Sequence, residues 1–132
     1  MKEFLVGDEF RELFTCTPEI SDGFIKLFRD RNPLHISNSV AVEKGFKEAV
    51  MHGNILGGFL SYFIGECLPS KNVIILSQEI QYKNAVYLND VLQFSAVVTA
   101  ISESVNVIEF KYWFRLTGTK TAATGKFKIK LT

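Results

Sequence analysis

Residues 53–66 read GNILGGFLSYFIGE. The stretch carries no charge until Glu66 and is apolar nearly all the way round a helical wheel. A helix of this kind has to be buried on most sides. It is not a membrane span, because the uncharged run over 49–65 is short, rich in Gly, and interrupted by Asn54 and Ser61. Leu68-Pro69-Ser70 ends it. The fold therefore turns on what covers this helix.

The second half of the chain answers in strands. In VIILSQEIQYK (73–83), Ile74, Leu76, Gln78, Ile80 and Tyr82 share a face. In DVLQFSAVVTAI (90–101) the shared face is Leu92, Phe94, Ala96, Val98 and Ala100. NVIEFKYWFRL (106–116) places Ile108, Phe110, Tyr112, Phe114 and Leu116 together, and TGKFKIKL (124–131) places Phe127, Ile129 and Leu131 together. Alternation with period two predicts an antiparallel sheet with one covered face. One buried helix and one long antiparallel sheet make an α+β fold, a single domain over 1–132 with the sheet curled around the helix: the hot-dog arrangement. A lone curled sheet leaves open edges, and a domain this small buries a limited share of its surface. Both points favour a homodimer joined sheet edge to sheet edge, with Trp113 and Arg115, off the core face, available to that interface.

The first half reads as one strand and then helices. DEFRELFTCT (8–17) is the strand, and Thr17-Pro18 is an N-cap followed by a first-turn proline. Ile20, Phe24, Leu27 and Phe28 form one helical stripe. Pro33 disfavours helical geometry at Asn32, so the helix is expected to stop near Arg31. A short helix over 38–47 should end around Gly45.

Composition narrows the function classes. Apolar residues make up 47% of the 132, and twelve Phe make the core bulky. Net charge is +1 and no two basic residues are adjacent, which argues against nucleic acid as a partner. Lys126, Lys128 and Lys130 alternate with apolar residues as the wet face of a strand. Cys16 and Cys67 are far apart and fit two reduced thiols. With acidic residues where a signal peptide needs an apolar run, the expected compartment is the cytoplasm. Two histidines are too few to favour a zinc site.

Two segments carry chemistry. FRDRNPLHIS (28–37) sets Asp30 five residues before His35. On one continuous helix they would point about 140° apart, at about 100° per residue. With the helix broken before Pro33, Asp30 ends one element, His35 begins an extended segment, and a turn tied by Asn32 can aim both side chains at one point. A carboxylate at a helix C-terminus is disfavoured in its charged form, which suits acid–base work beside an imidazole. Spacing alone equally allows an ordinary polar turn. The second segment, VMHGNILGGFLS (50–61), places His52-Gly53 at the head of the buried helix. Glycine lets a ligand approach the backbone, and the helix N-terminus offers free N–H groups that polarise a carbonyl. Ser61 lies two turns on, and taken alone His52 reads as a structural histidine.

Together the segments resemble the MaoC-like hydratase family, which includes the R-specific enoyl-CoA hydratases. That family carries D-x-N-P-[LI]-H, matched here by Asp30, Asn32, Pro33, Leu34 and His35. Ala41, Gly45 and Phe46 follow, then His52, Gly53, Leu56 and Ser61 on the H-G-x-[LI] helix. LSQEIQYKNAVYLND is similar to a later family stretch through Gln78, Tyr82, Val86, Asp90 and Leu92. The resemblance covers roughly residues 10–100 in register.

The resemblance implies a lyase that adds water across a trans-2-enoyl thioester, or removes it from a 3-hydroxyacyl thioester. Asp30, His35 and Gly53 would be its catalytic groups, with Asn32, Ser61, His52 and Arg31 as binding residues. It implies no metal and no separate cofactor; coenzyme A or acyl carrier protein arrives as part of the substrate. Departures from the pattern are Ser37, Ala85 and Asn89, where the family more often has Asp, Pro and Gly. They bear on substrate identity more than on the acid–base pair. The competing readings are a hot-dog thioesterase and a non-catalytic module that binds acyl thioesters.

Overall fold

A computed structural model describes residues 2–132. The alternating stretches of the second half pair as one antiparallel sheet, together with a strand from the N-terminal region. The strands are β1 (Glu9–Thr15), β2 (Val73–Tyr82), β3 (Val91–Ser102), β4 (Val107–Arg115) and β5 (Thr121–Leu131), in the order β1-β3-β4-β5-β2. Between β1 and β2 run α1 (Pro18–Phe28), α2 (Pro33–Ile36), α3 (Asn38–Glu43) and α4 (Asn54–Tyr62), the last continued by a π turn over Phe63–Cys67.

The sheet's concave face packs on α4. Leu92, Phe94, Phe110, Tyr112, Phe114, Phe127 and Ile129 are buried against Leu60, Phe63 and Ile64. Phe63 meets Phe94 at 4.7 Å between ring centroids, and Phe14 of β1 stacks on Phe59 at 4.6 Å. Each fully buried side chain of this size contributes about 1.5–3 kcal/mol relative to exposure. Tyr112 spends its hydroxyl on the Glu79 carbonyl at 2.8 Å, a path that needs Gly125, because a Cβ there would collide with both groups. The α+β hot-dog architecture read from the sequence is the one observed.

Several expectations are corrected. The Thr17 hydroxyl does cap α1, accepting from the Ile20 N–H at 3.2 Å, but the helix ends at Phe28 rather than near Arg31. Its terminator is Arg29, which turns left-handed at φ 64° and returns its N–H to the Ile25 carbonyl. Half of the α1 stripe is bare: Ile20 and Phe24 pack on the core, whereas Leu27 and Phe28 are 73% and 70% exposed. α4 also keeps an open side, with Asn54, Gly58, Ser61 and Tyr62 exposed. A bulge in β3 between Val98 and Ala100 sends Ile101 to the core. A second bulge, between Ile75 and Ser77, breaks the expected face of β2 and leaves Ile74, Ile75 and Leu76 exposed. Trp113 and Arg115 stack on each other at 5.1 Å on the outer face of β4, which has neighbours on both sides and so offers no edge.

Candidate active site

The site forms where the loop after α1 meets the head of α4. The Asp30 carboxylate Oδ1 accepts the Asn32 N–H at 3.1 Å, and Asn32 Oδ1 accepts the Leu34 N–H at 3.0 Å. Asn32 therefore caps α2, with Pro33 at its first position, where a missing N–H costs nothing. His35 consequently lies on one helical turn, not on the extended segment expected from the sequence. Asp30 stands beyond the capped end of α1 and not within its last turn, so the premise that placed it at a helix C-terminus fails.

Two bonds between residues farther apart in the chain dock this turn. The Val50 N–H donates to the Leu34 carbonyl at 3.0 Å, and the Val50 carbonyl lies 2.7 Å from His35 Nδ1. A carbonyl only accepts, so Nδ1 carries a proton, and in the neutral ring Nε2 keeps its lone pair. His52 has the opposite arrangement. Its Nε2–H donates to the Asp30 carbonyl at 2.8 Å, while Nδ1 is buried without a partner. The two imidazoles stack at 4.0 Å and 25°. Donor atoms of Asp30, His35 and His52 all lie within 4.8 Å of one another.

A cavity of about 490 Å³ opens at this point, lined by Cys16, Asp30, His35, His52, Gly53 and Tyr82 among others. Gly53 is the residue before α4, and its N–H finds no acceptor among the described residues. The Tyr82 ring lies against it: a Cβ on Gly53 would come within 2.8 Å of Cε1. Burial, with a smaller contribution from the Asp90 charge, pushes the Cys16 thiol up to about 11. Cys16 is therefore a thiol at neutral pH and no nucleophile. A second, apolar groove of about 650 Å³ runs between α1 and α4, lined by Ile20, Phe24, Leu27, Phe28, Ile55 and Phe59. It shares Asp30, Asn54 and Ile55 with the first cavity, so the two meet at the carboxylate.

Of the residues read from the sequence, Asp30, His35, His52 and Gly53 come together at the cavity. Asn32 acts on the backbone of the turn. Ser61 and Arg31 are exposed and line neither space. Sequence reasoning missed Lys83, the cation that does line the cavity, and gave Tyr82, read as a covered-face and family-matching residue, no place against Gly53. The alternation over 73–83 put Tyr82 on the covered face but gave no reason to send Lys83, the residue after β2, to the cavity.

A curled antiparallel sheet around a central helix, with polar chemistry at the head of that helix, defines a hot-dog-fold protein. Within that class the model of the MaoC-like domain matches residues 9–113, and the chain belongs to that family. It is 31% identical over 108 residues to an (R)-specific enoyl-CoA hydratase of Aeromonas caviae, covering 82% of this chain and 81% of that one. An (R)-specific enoyl-CoA hydratase of Rhodospirillum rubrum is 28% identical over 88 residues, covering 67% of this chain and 61% of the relative. Among solved structures, the (R)-hydratase from A. caviae involved in PHA biosynthesis superposes over the whole of both chains with a TM-score of 0.91 at 27% identity.

Proposed function

We propose that the protein is a hydro-lyase that reversibly hydrates a trans-2-enoyl thioester to the (R)-3-hydroxyacyl thioester. The observation that carries this reading is the His35 tautomer. With Nδ1–H committed to Val50, the Nε2 lone pair is free to take a proton beside the Asp30 carboxylate. Water held between Asp30 and His35 loses a proton to the pair as its oxygen bonds to the β-carbon. The double-bond electrons shift to the carbonyl oxygen as an enolate, which the Gly53 N–H stabilises. The pair then returns a proton to the α-carbon, so atoms and charge balance with no oxidant or reductant.

Neither redox nor metal chemistry is required by this scheme. The carrier, coenzyme A or acyl carrier protein, enters with the substrate, and the exposed Lys83 at the cavity suits a carrier phosphate. The apolar groove from Asp30 suits the acyl chain. The (R) product rests on the relatives' names. In this reading Asn32 shapes the turn, and Ser61 and Arg31 have no part in the reacting centre. The exposed apolar residues of edge strand β2 support a homodimer. No helix among the described residues is long and apolar enough to cross a membrane.

Incubation with crotonyl-CoA tests the reaction. Loss of the enoyl absorbance without release of free thiol is the expected result. Release of thiol would mean hydrolysis, and binding without turnover would mean a non-catalytic module.

A further inference from the structure

His52 is built into the site more firmly than packing requires. It is 3% exposed, with the His35 ring stacked on its own at 4.0 Å and the Phe24 ring of α1 tilted against it at 4.7 Å between centroids. A buried polar atom without a partner costs about 1–3 kcal/mol, and Nδ1 is such an atom. A ring that only filled this space would be less costly as phenylalanine. The nitrogen that offsets the cost is Nε2, whose N–H holds the Asp30 carbonyl across 22 residues of chain.

That bond has a distinct task. The hydrogen bonds within the turn, Asn32 N–H to Asp30 Oδ1 and Leu34 N–H to Asn32 Oδ1, give it shape but do not place it. Val50 anchors the His35 end through both of its backbone groups. Among the described residues, the hydrogen bond that anchors the Asp30 end is the one from His52. The same imidazole supplies the plane on which the His35 ring lies. Stacking also argues against chelation. Lone pairs lie in the ring planes, so two nearly parallel rings direct them side by side and not onto one ion, although the donor atoms are close.

We propose that His52 is a positioning residue for the Asp30–His35 pair. Its N–H fixes the backbone of Asp30 over the head of α4, and its face fixes the orientation of the His35 ring. It touches neither water nor thioester. The inference rests on the hydration reading for its kinetic consequence, though not for its geometry.

Two variants separate the two contacts. His52→Phe keeps a ring but loses the donor; His52→Gln places an amide N–H near the Nε2 position but loses the ring. With crotonyl-CoA, His52→Phe should lower kcat by about 10–100-fold, the scale of a misplacement near 1 Å, while KM changes less than about 3-fold. His52→Gln should recover part of that loss. An unchanged kcat in folded His52→Phe, or a raised KM with kcat kept, overturns the proposal. Ring nitrogen NMR decides it without turnover. The wild-type protein should show His35 as the Nδ1–H tautomer and His52 as the Nε2–H tautomer, and the His35 resonances should move in His52→Phe and return towards wild type in His52→Gln. A His52 Nδ1–H tautomer overturns the proposal, because Nε2 then cannot donate to Asp30. If the wild-type protein hydrates no enoyl thioester, the proposed reaction falls while the NMR result still decides the role of His52. If His52→Phe does not fold, His52→Gln and the wild-type tautomers remain decisive.

Discussion

His35 and Val50 are joined by a 2.7 Å hydrogen bond from the imidazole Nδ1–H to the backbone carbonyl. This bond converts a histidine on a one-turn helix into a base with a defined free nitrogen. Its partner, Asp30, has its carboxylate held by the Asn32 N–H, so neither group has to search for its orientation. Asp30→Asn retains an acceptor for that N–H but cannot exchange a proton. It should lower kcat/KM for crotonyl-CoA hydration by at least ~100-fold, the scale of losing a general acid–base group. The melting temperature should change little, because Asp30 is exposed. Full activity in Asp30→Asn would sink the mechanism.

The sheet was legible in the sequence because alternation over 92–98 and 108–114 matches burial residue by residue. It failed at the bulges in β2 and β3, where one extra residue exchanges the faces and no residue type announces the slip. The early end of α1 was hidden for a similar reason: its left-handed cap is Arg29, and not the glycine or asparagine that marks such caps. Asp30, His35 and Gly53 could be named because their side chains, or the lack of one, carry the chemistry. The groups that orient them could not. The carbonyls of Val50 and Asp30 belong to every residue alike, and Lys83 follows β2 with its N–H on the Ala122 carbonyl, a contact between residues far apart in the chain.

Gly53 should accept a side chain only at the expense of the Tyr82 ring position. An added Cβ would lie 2.8 Å from Tyr82 Cε1 and 3.0 Å from Cζ, so the ring has to move. Tyr82 is 52% exposed, so its ring can swing aside at little cost in stability. Gly53→Ala should leave the melting temperature nearly unchanged but displace that ring and narrow the cavity, cutting kcat/KM. The double variant Gly53→Ala with Tyr82→Ala should be as stable as Tyr82→Ala alone. A Gly53→Ala protein as active as wild type would show that the close approach is not required.

Stability should fall in alkali in two steps. Burial, then the Asp90 charge, raises the Cys16 thiol from 9.0 to about 11. Burial, then the charges of Tyr82 and Glu79, raises the Tyr112 phenol from 10.0 to about 12. For an acid whose folded value is raised, the unfolded chain releases its proton first. The folded state is therefore fully favoured below the unfolded value and loses ground as pH climbs towards the folded one. Melting temperatures should decline from about pH 9 to 11 through Cys16 and from about 10 to 12 through Tyr112. Tyr112→Phe should flatten the upper window while costing about 1 kcal/mol at neutral pH for the lost bond to Glu79. Identical slopes for wild type and Tyr112→Phe above pH 10 would refute the assignment.

The β2 edge makes the last prediction. Its outer side has unpaired backbone groups, and Ile74, Ile75 and Leu76 stand exposed beside the bulge. Exposed apolar edge strands pair with another chain unless charge or proline blocks them. None of these three positions carries either, and the sheet's other edge, β1, is broken up by Glu9, Arg11 and Glu12. Two copies meeting along β2 would continue the sheet across the pair. Light scattering after size exclusion should therefore give the mass of two chains, and Ile75→Glu with Leu76→Glu should give that of one. Because the Asp30–His35 turn is held within one chain by Val50 and His52, the monomer should keep the histidine tautomers of the dimer. A wild-type protein that runs as a monomer at micromolar concentration would remove the edge from consideration.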